Sequence, residues 1–115
     1  MESEPLIDLH GALAALEGDR ELLMDCLALL AEDLPLRLEE LRRSLDSGDL
    51  ARACNVAHTI KGSVAVVGAV ALKNTALALE VAGRGGRLQE ADACYAELCR
   101  RWRELCLYLE KEKLL

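Results

Sequence analysis

From Leu23 onward, leucines recur at Leu23, Leu27, Leu30, Leu34, Leu38, Leu41 and Leu45, in alternating steps of four and three. Steps of that size return a side chain to one side of an α-helix, whereas a strand exposed on one face needs steps of two. The row therefore predicts one buried stripe along a helix spanning about residues 20–47. Pro35 lies inside it, but the register runs through, so the reading is one bent helix rather than two.

Three more rows come after it. Leu50, Ala53, Ala57, Ile60, Val64 and Val67 predict a helix over about 49–67. Leu72, Ala76 and Leu79 predict a shorter one over about 69–84, and Leu88, Ala91, Tyr95, Leu98, Trp102, Leu105 and Leu109 the most regular, over about 88–111. A short helix over about 8–16 precedes them. Gly18, Gly48 and Gly68 break the rows, Asp19 and Asp49 are placed to cap the helices that start beside them, and the Gly83 to Gly86 region ends the third row. Nothing alternates with period two. Connections of about two to five residues let consecutive helices pack only as antiparallel neighbours. The expected fold is all-α, an up-down-up-down four-helix bundle with a short extra N-terminal helix.

At 115 residues the chain is read as one domain, 1–115, with no room for a separate catalytic one. It contains no Phe and 3% aromatic residues, so its core must be built from Leu, Ala and Val. A net charge of −6 has the wrong sign for neutralising nucleic-acid phosphates. The longest uncharged run, Gly62 to Leu72, is too short to span a bilayer, and the start MESEPLIDLH is acidic where a secretory leader would be basic. These features predict a cytoplasmic monomer that binds neither nucleic acid nor membrane, and the initial Met1 fits a free-standing protein. The five cysteines, Cys26, Cys54, Cys94, Cys99 and Cys106, are odd in number and lie within helical rows, so they are read as reduced thiols, mostly small core hydrophobes. Their spacings form no zinc pattern and His10 and His58 lie far from them in sequence, so no metal site is expected.

One stretch does not fit a plain core helix. AHTIKGSVAVVGA, Ala57 to Ala69, carries a glycine inside a helix, where it weakens the helix by about 1 kcal/mol relative to alanine. His58 falls on the flank of the buried face, and Lys61, Gly62 and Ala65 share its side of the helix. Singly, each has an ordinary reading: a surface histidine, a solvated charge, a small residue where helices approach. Together they put an imidazole beside one cation and above nearly bare backbone. Acid–base work usually brings a carboxylate and a substrate pocket, whereas nucleophilic attack on a phosphoryl group needs positioning and charge stabilisation, much of which a partner can supply.

AHTIKGS, led by GDLARACNVA and continued by GSVAVVGA, resembles the HxxKG(S/A) signature of histidine-containing phosphotransfer domains of multistep phosphorelays. The resemblance runs from EGDRELL through LAEDLPLRLEELRRSLDSGD to LALEVAGRGG, about Gly18 to Gly86, and is one of pattern only in the last helix. It implies that His58 takes a phosphoryl group from a receiver-domain aspartyl phosphate and passes it to another receiver. It also implies that Lys61 neutralises phosphoryl charge, that Gly62 admits the receiver and that Ser63 is the small polar residue next in the signature. LALEVAGR resembles the family's LExxxR stretch, so Glu80 and Arg84 are secondary candidates, to orient the imidazole and bind phosphoryl oxygens; an ordinary surface ion pair is the competing reading. The run Val64 to Val67 and the lack of Phe in the first long helix depart from the family pattern.

The implied partners are receiver domains of response regulators or hybrid histidine kinases. The chain itself is expected to need no cofactor, Mg²⁺ staying with the receiver. GRGGR lacks the following Lys and Ser or Thr of a phosphate loop, so a stoichiometric phosphocarrier without an ATP site is expected rather than a kinase. A helical adaptor or dimerisation module, and the phosphotransfer domain of a chemotaxis-type kinase, are the alternatives. CRRWRELC, Cys99 to Cys106, reads as a solvated face beside a core tryptophan.

Overall fold

The computed structural model describes residues 5–115; the acidic start of the chain, residues 1–4, lies outside the described residues. Five helices succeed one another: α1 (Leu9–Ala15), α2 (Arg20–Asp46), α3 (Leu50–Val66), α4 (Val70–Arg84) and α5 (Leu88–Lys111). The described residues contain no strand. Helices α2 to α5 each pack on their sequence neighbour, and α2 closes the ring on α5, while α1 rests against α2. The leucine row of α2, from Leu23 to Leu45, is buried throughout, facing Ala57, Ile60 and Val64 of α3, Leu72 and Leu79 of α4, and Leu98, Leu105 and Leu109 of α5 within one core. Helix α2 passes through Pro35 without interruption.

The predicted ranges of α1 to α4 run a residue or two long because they counted capping residues as helix. Asp8, Asp19 and Asp49 sit just outside α1, α2 and α3, and their carboxylates accept from Gly11 N at 2.9 Å, Leu22 N at 3.0 Å and Arg52 N at 3.1 Å. Helix α4 has no side-chain cap; instead the chain before α1 crosses to it, and Pro5 O accepts from Ala71 N at 3.1 Å. This strap is held again at the α3–α4 turn, where Asp8 N donates to Gly68 O at 2.7 Å.

Gly68 meets two demands at once. Its φ of +75° closes α3 in a Schellman turn, with Ala69 N donating to Val64 O at 3.0 Å. A Cβ there would also lie 2.5 Å from Asp8 O. Gly48 has the same φ but open space around it. Gly48→Ala should therefore cost only the left-handed backbone term, about 1–2 kcal/mol. Gly68→Ala should cost clearly more, because the strap must also move; parallel thermal melts read the difference, and equal losses would show that the strap adds nothing.

Gly83 lies within the helix, as the predicted range to residue 84 has it, and is buried there: a Cβ would meet Leu50 O at 3.3 Å and Cys54 Cβ at 3.4 Å. The turn starts at Gly85, and Gly83 lets α4 lie close against the start of α3. The cysteines are not core residues: all five are half-buried, at the margins of the rows rather than in them. On α5, Trp102 packs partly buried against the core. Hydrogen bonds from Arg100 and then Arg101 hold the Glu97 carboxyl down to about 2, so two of the three arginines around that tryptophan are ion-paired on the surface.

Candidate functional site

The site lies along the α3–α4 seam. Ala57, Ile60 and Val64 point α3 into the core, which leaves His58 and Gly62 on the outer face and turns Lys61 toward α4. The His58 side chain is 67% exposed, that of Lys61 24%. On α4, Ala76, Leu79 and Gly83 bury the opposite side of the same seam, and Glu80 comes with them: its side chain is only 7% exposed.

A buried carboxylate is costly unless its charge is met. Here three groups meet it. Lys61 Nζ donates to Glu80 Oε1 at 2.8 Å, while Arg84 Nη2 donates to Oε2 at 2.9 Å and His58 Nδ1 lies 3.1 Å from that same Oε2. The hydrogen bond from Lys61 holds the Glu80 carboxyl below its ordinary range; burial pushes the other way, and the His58 hydrogen bond adds to the lowering. Because the folded value is lowered, the ionised group contributes stability above the ordinary carboxylate range, and that contribution is lost as pH falls through the folded value.

The ionised carboxylate also sets the histidine tautomer. Glu80 can only accept, so Nδ1 carries the proton and donates to Oε2. The neutral ring then has its lone pair on Nε2, which has no hydrogen-bond partner among the described residues. One turn on, nothing lies within 4 Å of where a Gly62 Cβ would be. The glycine is thus not required by helix packing; it leaves the surface beside the ring bare. The Ser63 hydroxyl donates to Thr59 O at 3.1 Å, within its own helix.

The structure brings His58, Lys61, Glu80 and Arg84 onto one carboxylate, with Gly62 alongside and Ser63 on the α2 side of α3. The surface ion pair considered for Glu80 and Arg84 does not describe them, since Glu80 is buried and shared by three donors. Lys61 reaches Glu80 rather than standing free beside the imidazole. Among the described residues no group of three or more His, Cys, Asp or Glu is placed to hold a metal ion. Sequence reasoning missed the α2 side chains that flank Ser63, namely Leu29, Leu36, Glu32 and Asp33. Their signal was present as a second leucine row, Leu22, Leu29 and Leu36, spaced by seven and lying outside the core row.

The family model of the Hpt domain matches residues 25–112. Among solved structures, the chain is similar to the histidine-containing phosphotransfer protein B of Pseudomonas aeruginosa PAO1, at 29% identity over 96% of both chains and a TM-score of 0.76. A search of curated proteins finds no match.

Proposed function

Since this chain belongs to the Hpt domain family, with a histidine phosphotransfer role in phosphorelays, we propose that His58 is the residue that carries the phosphoryl group. The observation that carries this reading is the 3.1 Å contact between Nδ1 and a buried, ionised Glu80, which leaves Nε2 as the nucleophile on an exposed ring. Nε2 attacks the phosphorus of a receiver aspartyl phosphate. The N–P bond forms as the P–O bond to the aspartate breaks, and the receiver regains its carboxylate. The ring keeps its Nδ1 proton and gains positive charge, which Glu80 stabilises across the hydrogen bond. Transfer to a second receiver runs the same step backwards.

Lys61 and Arg84 supply the charge for the incoming group. Both are anchored through Glu80, so two cations stand beside the ring in fixed positions, and phosphoryl oxygens compete with the carboxylate for them. Gly62 keeps the approach clear. Hpt domains are phosphocarrier modules that pass phosphate to receiver domains. On that footing this chain acts stoichiometrically, as a cytoplasmic monomer without a nucleotide site, on receivers of response regulators or hybrid kinases. Any Mg²⁺ that assists the step belongs to the receiver. No helix among the described residues is long and apolar enough to cross a membrane.

The test is to mix the chain with isotopically phosphorylated receiver domains. The expected product is a label on this chain that acid releases and alkali does not, the behaviour of a phosphoramidate bond. An alkali-labile label, or none from any receiver, overturns the reading.

A further inference from the structure

The bare face of α3 continues past Gly62 to Val66, one turn on, and from there onto α2. Val66 and Ser63 together with Leu29, Leu36, Glu32 and Asp33 line an open groove of about 520 Å³. Leu29 and Leu36 are 64% and 69% exposed and Val66 is 49% exposed. None belongs to the core row, and each holds apolar surface in water whose burial would be favourable. The bundle gains nothing from placing them together in water. The rim is acidic: Asp33 is partly answered by Arg37 at 3.3 Å, and Glu32 has no ion-pair partner among the described residues. A second copy of this chain, itself at net charge −6, would bring the same acidic rim against it.

We propose that this groove selects among receivers by taking an apolar ridge flanked by Lys or Arg next to the phosphorylated aspartate. The proposal rests on His58 being the phosphoacceptor, because the groove matters as the continuation of the histidine face. Its apolar floor supplies contact area. Glu32 and Asp33 speed the encounter with a basic partner and place like charge against an acidic one. The selection acts on docking, not on the chemical step.

The test compares the full chain with its Glu32→Lys, Asp33→Lys double variant. Two phosphorylated receivers are used, one basic and one acidic around its aspartate, together with phosphoramidate. This small donor needs no groove: its P–N bond breaks with release of ammonia as the bond to Nε2 forms. At low salt and subsaturating receiver, the basic receiver should phosphorylate the variant about tenfold or more slowly than the parent, and the acidic receiver should do so faster. Labelling by phosphoramidate, and the rate at saturating receiver, should change by less than about twofold, since the chemical step is untouched. The neutral Glu32→Gln, Asp33→Asn variant should move the same way by less, which guards against misfolding of the charge reversal. Equal rates for parent and variant from both receivers, with phosphoramidate labelling intact, overturn the proposal alone. So does a parent dimer in sedimentation that the variant abolishes, since the groove would then seat a second copy. A parent chain that phosphoramidate does not label at His58 overturns the underlying assignment, and the proposal with it.

Discussion

His58→Gln is expected to abolish phosphoryl acceptance, with a loss on the order of 10⁴-fold or more in transfer from a phosphorylated receiver, because the nucleophile itself is gone. The fold should barely notice. The ring is mostly in solvent, α3 buries none of its core row there, and glutamine is a good helix former. Glu80 loses one donor but keeps Lys61 at 2.8 Å and Arg84 at 2.9 Å, so its charge stays met. The change in stability should stay within about 1 kcal/mol, read as a shift of a few degrees in a thermal melt. The internal control is His10, the other histidine of the chain, which is exposed on α1. His10→Gln should accept label as the parent does. A label that survives in His58→Gln and disappears in His10→Gln would move the site to α1.

A feature of this fold is legible in the sequence where its deciding contact is local. The leucine row of α2 and the rows of α3 and α5 are legible because helical period and burial are one fact seen twice: Leu41, Ile60 and Leu105 lie in their rows and have no exposure. Asp19 and Asp49 are legible as caps because the donors they meet are three residues away. Gly83 is legible only as part of the glycine-rich helix end; that it is buried for close contact shows only once α4 docks onto Leu50 and Cys54. Glu80 is half legible. Its pairing with Arg84 is four residues long, but the bonds from His58 and Lys61 span 22 and 19 residues and depend on the register in which α4 docks on α3. Burial is the property that decides what Glu80 does, and burial is set by that register. The cap of α4 by Pro5 is invisible for the same reason: the donor and acceptor are 66 residues apart, since Ala71 N bonds to Pro5 O.

Gly62 is where stability and function should separate most clearly. The residue is helical, and a Cβ there would touch nothing within 4 Å. Any ordinary side chain should therefore strengthen α3. Gly62→Gln is expected to raise stability by about 0.5–1 kcal/mol, from helix propensity alone. The same side chain would stand one turn from His58, over the surface a receiver must cover. Displacing a docked receiver by about 1 Å from the in-line geometry of transfer costs on the order of 10²-fold in rate, and that is the loss expected. Phosphoramidate is small enough to pass beside the glutamine, so its labelling of His58 should change little. Gly62→Ala divides the two effects further: it should gain at least as much stability, alanine being the better helix former, and lose little of the transfer, since a methyl group barely rises above the helix backbone. If Gly62→Gln melts higher and transfers as fast as the parent, the bare surface is not reserved for a partner. If it melts lower, the glycine is needed inside the fold after all. The combination of a higher melting point and slower transfer from receivers, with labelling by the small donor preserved, is the outcome that ties the glycine to docking.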